Sequence, residues 1–70
     1  MKFILILSVC SSIYGNCMPP LVHENHFTNH YTCATKGYEI AAGMMADLGQ
    51  EYVNNNKLVI GFKCRPNLDI

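Results

Sequence analysis

The chain has 70 residues, five basic and five acidic side chains, a formal net charge of zero, and hydrophobic residues at half of its positions. That length allows one small domain, and a balanced charge without a basic cluster leaves no electrostatic footprint for nucleic acid. There is no internal repeat, no Asn-X-Ser/Thr sequon, and no low-complexity segment beyond Asn54-Asn55-Asn56.

At the amino terminus, Lys2 precedes the apolar run Phe3-Ile4-Leu5-Ile6-Leu7-Ser8-Val9, and small and polar residues follow up to Gly15. This is the charged, apolar and cleavable layout of a secretory signal, with cleavage expected near 15/16, although Ile13 and Tyr14 are bulkier than such sites prefer. The run is too interrupted for a membrane span, which needs about 17 apolar residues or more. An alternative is a lipoprotein signal ending before Cys10. Leu7-Ser8-Val9-Cys10 looks like a bacterial lipobox, with Val9 where a small residue belongs. The expected organisation is a signal peptide over 1–15, a flexible amino-terminal segment over 16–26, one domain over 27–66 and a tail over 67–70.

Residues 16–26 open with Cys17 and Pro19-Pro20 and carry His23, Glu24 and His26, with His30 close behind. Imidazoles three and four residues apart can share a transition metal, so His23, His26 and His30 are weak metal-ligand candidates. The sharper zinc-protease pattern is absent, because a second histidine is needed at 27 and Phe27 stands there. The expectation is a solvated segment with no metal and no cofactor.

Phe27, Tyr31 and Cys33 alternate in part with Thr28, His30 and Thr32, which favours a strand over 27–33 with Thr35 as the N-cap of a following helix. The competing reading starts the helix earlier and places 31–34 in its first turn. From Tyr31 to Tyr52, the residues Tyr31, Ala34, Tyr38, Ala41, Met45, Leu48 and Tyr52 recur at steps of three and four, the spacing of an amphipathic helix. Lys36, Glu39, Gly43, Asp47, Gln50 and Asn54 fall opposite, and Ile40 and Met44 widen the apolar arc towards Cys33. Gly37, Gly43 and Gly49 each cost a helix interior about 1 kcal/mol, so packing must hold it. Gly49 is either interior or the residue that closes the helix and leaves Gln50–Val53 as a separate turn. Asn54-Asn55-Asn56 suits a turn. Leu58, Ile60, Phe62 and Cys64 then share one face of a strand, with Val59, Gly61 and Lys63 on the other, and Pro66 stops the pairing.

A mature chain of about 55 residues rarely supports itself by apolar burial alone, and an oxidising compartment bridges cysteines. With Cys10 leaving on the signal, Cys17, Cys33 and Cys64 remain. Loop entropy separates a Cys33–Cys64 bridge (about 3.5 kcal/mol) from a Cys17–Cys33 bridge (about 3) too little to decide between them. Geometry favours Cys33–Cys64, which end two elements that must pack together. Cys17 is then spare and available to join two copies in a homodimer.

No catalytic constellation emerges. Cys17, His23 and Glu24 lie in a flexible oxidised segment that suits a thiolate nucleophile poorly, and Glu39, Asp47 and Glu51 lie on the solvent side of the helix. So small a chain is also expected to lack a preformed pocket of about 300 Å³ or more. Recognition by surface remains, through Tyr31, Tyr38 and Tyr52 or through the edge of the 57–64 strand.

At Cys33-Ala34-Thr35-Lys36-Gly37-Tyr38, followed by an apolar helix and a strand ending in Phe62-Lys63-Cys64, the chain resembles short exported proteins of unknown function encoded by bacteriophages, especially marine ones. The resemblance covers about residues 31–64. It implies a host-exported accessory protein in the periplasm or outside the cell, and carries over no functional residue beyond the two cysteines. The expectation is an α+β unit, one amphipathic helix packed on a two- or three-stranded sheet and stapled by a disulfide. It acts as a non-catalytic exported binding protein whose protein partner is unknown. A His-rich metal-binding peptide and a lipid-anchored envelope protein are the alternatives.

Overall fold

The computed structural model describes residues 2–67. Its elements run β1 (Lys2–Ser11), β2 (Leu21–Phe27), α1 (His30–Leu48), α2 (Gln50–Asn56) and β3 (Leu58–Asn67). The strands form one antiparallel sheet in the order β2-β1-β3. The α+β architecture, a helix on a small sheet with a disulfide staple, is as the periodicity predicts.

The central strand is β1, which the sequence reading assigns to a signal peptide. Its run of Phe, Ile, Leu and Val suits a strand with a neighbour on both sides and a covered face. Leu5, Leu7 and Val9 point to one face and are buried there. Ile4, Ile6, Ser8 and Cys10 alternate onto the other face and are half-buried. β3 pairs with β1 in continuous register, from Leu58 opposite Ser11 to Asn67 opposite Lys2. Pro66 therefore does not end the strand. It sits opposite Phe3 on an edge strand, where a missing donor is tolerated.

The segment 16–26, expected to be flexible, contributes most of β2. Leu21 and Val22 pair with Leu7 and Ile6, and His26 and Phe27 with Ile4 and Phe3. The register shifts between Ile4 and Ile6, where β2 advances four residues against two. A tight turn leads there from β1. The Gly15 N–H donates to the Ser11 carbonyl at 2.9 Å, and Gly15 has φ +74, a left-handed conformation that suits glycine. In the 70-residue chain β1 thus lies wholly before the expected boundary at 15/16 yet pairs with β2 and β3, and β2 runs across that at 26/27. Asn67 of the expected tail belongs to β3, and 68–70 lie outside the described residues.

α1 begins at His30, so the strand ends at Phe27 and the earlier of the two helix starts is the one formed. Asn29 is the N-cap, its Oδ1 accepting the Thr32 N–H at 2.7 Å, where Thr35 was expected to cap. The Thr35 hydroxyl instead donates to the Tyr31 and Thr32 carbonyls, both at 3.0 Å, as a threonine inside a helix does. Gly49, at φ +90, closes α1 with its N–H on the Met45 carbonyl. The chain then continues as α2, which takes in Asn54-Asn55-Asn56. The turn predicted there is made by Lys57, left-handed at φ 47.

The covered face of α1 is centred on Cys33, Gly37, Ile40 and Met44, one residue back from the predicted stripe of Ala34, Tyr38, Ala41 and Met45. That is a rotation of about 100°. Tyr31 and Tyr38 stand outside, 77 % and 71 % exposed. The rotation follows from the sulfur link at Cys33, which pulls that side onto β3, and from the contact at Gly37. There a Cβ would overlap the Phe62 ring, which Tyr38 caps edge-on at 4.8 Å. The core is Leu5, Leu7, Val9 and Cys33, with Phe3, Phe27, Ile40, Met44, Phe62 and Cys64 packed around it.

Two outcomes are expected. Gly37→Ala destabilises the domain, because overpacking of about 1–3 kcal/mol outweighs a helix-propensity gain of about 1 kcal/mol. Gly43→Ala, at a position open to solvent, gains up to about 1 kcal/mol. Urea unfolding reads both signs. Intact mass and amino-terminal sequencing of the natively isolated protein are expected to find residues 2–11 in the folded chain. A product starting near Asn16 would leave β2 and β3 without the strand between them.

Candidate functional site

The cysteines form two intramolecular pairs. Cys33 of α1 is bonded to Cys64 of β3, Cα atoms 6.1 Å apart, as the sequence reading expects. Cys10 is bonded to Cys17, Cα atoms 4.0 Å apart, across the bridge that extends the β1 hairpin. Cys17 is therefore not spare, and a homodimer through its sulfur has no thiol to use. The same bond occupies the Cys10 sulfur that a lipid anchor requires. The signal for this pair was the even count of four cysteines, lost once Cys10 was assigned to a cleaved leader.

The three histidines are not brought together. His23 lies against Phe27 with ring centroids 5.6 Å apart, and His30 meets the edge of Phe3 at 5.9 Å. His26 pairs in register with Ile4 on the opposite side of the sheet from Phe3 and Phe27. Among the described residues no group of three His, Cys, Asp or Glu side chains is placed to hold a metal. Glu39 is exposed and pairs with Lys36 at 3.4 Å, and Asp47 and Glu51 are also exposed.

A groove between α1 and β3, of about 570 Å³, is lined by His30, Ala34, Tyr38, Ile60 and Lys63 among others. The expectation that so small a chain has no concavity of pocket size is therefore not met. Its ionisable lining is His30 and Lys63, with Tyr38, and no carboxylate or free thiol lines it.

The sheet face turned away from α1, which sequence reasoning missed, sets apolar and charged side chains side by side. Alternation places Ile4, Ile6, Ser8 and Cys10 of β1 there, with Val59, Gly61, Lys63 and Arg65 of β3 level with them. β2 adds Val22 and His26, and Glu24 lies in the irregular stretch between them. Val22 and Val59 are 64 % and 56 % exposed. Ser8 and Gly61, the small residues at its centre, leave a concavity of about 330 Å³ bordered by Ile6, Pro20 and Lys63. α1 packs on the opposite face, through Cys33, Gly37, Ile40 and Met44. Glu24, Lys63 and Arg65 are exposed, and the described residues give none of them an ion-pair partner. No helix among the described residues is long and apolar enough to cross a membrane. No protein-family model, no curated protein and no solved structure matches the chain.

Cys33→Ser/Cys64→Ser is expected to lose about 3.5 kcal/mol of stability and Cys10→Ser/Cys17→Ser about 2.5 kcal/mol, following the loop lengths that the two bridges close. Denaturant unfolding of the two double variants checks this. A silent Cys10/Cys17 variant would show that this bridge closes nothing in the folded chain.

Proposed function

We propose that this chain is a small exported, non-catalytic binding protein that recognises its partner with the bare face of its sheet. The observation that carries the reading is the apolar strip of half-buried Ile4 and Ile6 with exposed Val22 and Val59, on a sheet whose other face is covered. An exposed apolar patch ringed by polar and charged side chains is the usual mark of a contact site. Two disulfides in a chain of this size support work in an oxidising compartment, the periplasm or the cell exterior. The resemblance around Cys33 and Cys64 supports a bacteriophage-encoded accessory role in the host envelope. In this reading residues 2–11 direct export and are kept as β1.

A photo-crosslinking residue at Val59, on the bare face, tests the reading against one at Gly43, on the outer side of α1, with the full oxidised chain in its native compartment. Discrete adducts are expected from position 59 and none from position 43. Equal adducts from both positions, or none from 59, would rule the surface out.

A further inference from the structure

Resting on that reading, we infer that the occupant of the bare sheet face is a second copy of this chain, stacked face to face about a two-fold axis parallel to β1. Rotation about such an axis keeps every level along β1 and exchanges the two edges of the sheet. β1 then lies over β1, and each β2 over the other copy's β3. The register fixes Arg65 beside Ile4 and Lys63 beside Ile6; exposed Glu24 lies on the opposite edge, in the irregular stretch of β2 between the partners of those two isoleucines. Glu24 of one copy therefore falls between Lys63 and Arg65 of the second copy, and symmetry repeats the arrangement on the other side.

The charges choose this axis. A two-fold axis across the strands sets β3 on β3, basic edge against basic edge, and leaves Glu24 facing the other Glu24 strand. Parallel to β1, the axis turns the same unpaired charges into two reciprocal clusters flanking an Ile4/Ile6 centre, the complementarity that sets register at interfaces. Aligned sheets cross at about 30°. Lys2, at the end of β1, thus lies where the copies diverge and its ammonium reaches water. His26 lies level with Arg65 at the edge of each cluster.

The size of the face sets the strength. Ten residues of β1 at about 3.3 Å each, by three strands about 4.8 Å apart, give roughly 450 Å² per copy and about 900 Å² in all. That is the low end of specific contacts, so the dimer is reversible and dissociates on dilution through the micromolar range. It is also non-covalent, since all four cysteine sulfurs are paired within one chain.

Sedimentation velocity of the full oxidised chain across the micromolar range tests this. A monomer–dimer equilibrium weakened by salt is expected. Glu24→Lys and the pair Lys63→Glu/Arg65→Glu should each weaken it about tenfold or more, and mixing these two proteins should restore a dimer between them. All three residues are exposed, and unchanged circular dichroism shows that the variants keep their fold. A chain that stays monomeric throughout, a dimer indifferent to Glu24→Lys, or a mixture no stronger than either variant alone overturns the inference. Crosslinks from position 59 separate the two failures. Adducts at the mass of another protein, from a monomeric chain, remove the second copy and leave the recognition surface standing. The absence of adducts from that position removes both.

Discussion

The structure depends on β1 serving two purposes with one backbone. Its N–H and C=O groups are shared between β2 and β3, which have no contact ladder with each other, so the sheet exists only through it. Its odd-numbered side chains supply Leu5, Leu7 and Val9, three of the four buried hydrophobic side chains among the described residues. Each of these is worth about 1.5–3 kcal/mol when fully buried. Losing β1 would thus remove the hydrogen-bond partner of both edges together with the surface on which α1 rests. The other elements are placed relative to this strand: β3 in unbroken register along it, β2 with a single irregularity, and the helix across its covered face.

Four buried hydrophobic side chains among the described residues make a small core even for this length, and the two disulfides act on different weaknesses. Cys33–Cys64 ties the helix layer to an edge strand, which otherwise meets it through Phe62, Ile40 and Met44 only partly shielded from water. Cys10–Cys17 works within the sheet layer, closing the turn that leaves β1. It is joined there by Ser11 and Ser12, whose hydroxyls donate to the Asn56 and Lys57 carbonyls at 2.7 and 2.9 Å and fasten the start of β3 to the end of β1. One bridge holds the layers together and the other holds the open end of the sheet. Both narrow the unfolded ensemble, the effect a small core most needs.

Much of the covered half was legible from the residues. The 3.6-residue period marks α1, the alternation of Leu58, Ile60, Phe62 and Cys64 marks β3 and its inward face, and the two cysteines that end these elements are joined. β1 was not legible because a short apolar run has the same composition in a buried central strand as in the apolar region of a secretory signal. The choice between them also decided the cysteine count and, with it, the assignment of Cys17. The helix was found but turned by one residue. Tyrosine counts as apolar in a periodicity, yet Tyr31 and Tyr38 are amphipathic enough to stand in water, while Gly37, with no apolar side chain at all, is the residue that fits beneath Phe62. The bare face escaped notice because it is made by register. Ile4 and Ile6 meet Lys63, Arg65 and Val22 only once three separate strands are aligned.

That alignment also limits how the exposed apolar surface can be used. A three-stranded sheet has two edges through which it can add strands from another chain, and here both are unfavourable. β3 carries Lys63, Arg65 and the donorless Pro66 along its length, and β2 is short and irregular in register. These are the features by which sheets resist edge-to-edge growth. With the edges guarded and α1 on one face, the proposed association falls to the remaining face, where contact can close on itself instead of propagating. Lys63 and Arg65 therefore have two effects from one position. As members of an edge strand they discourage an added strand, and as members of the bare face they favour a partner that brings an acidic group to their level. A chain with too little interior to bury both sides of its sheet is thus left with one partly apolar face bordered by charges, and in the proposed association those charges select what covers it.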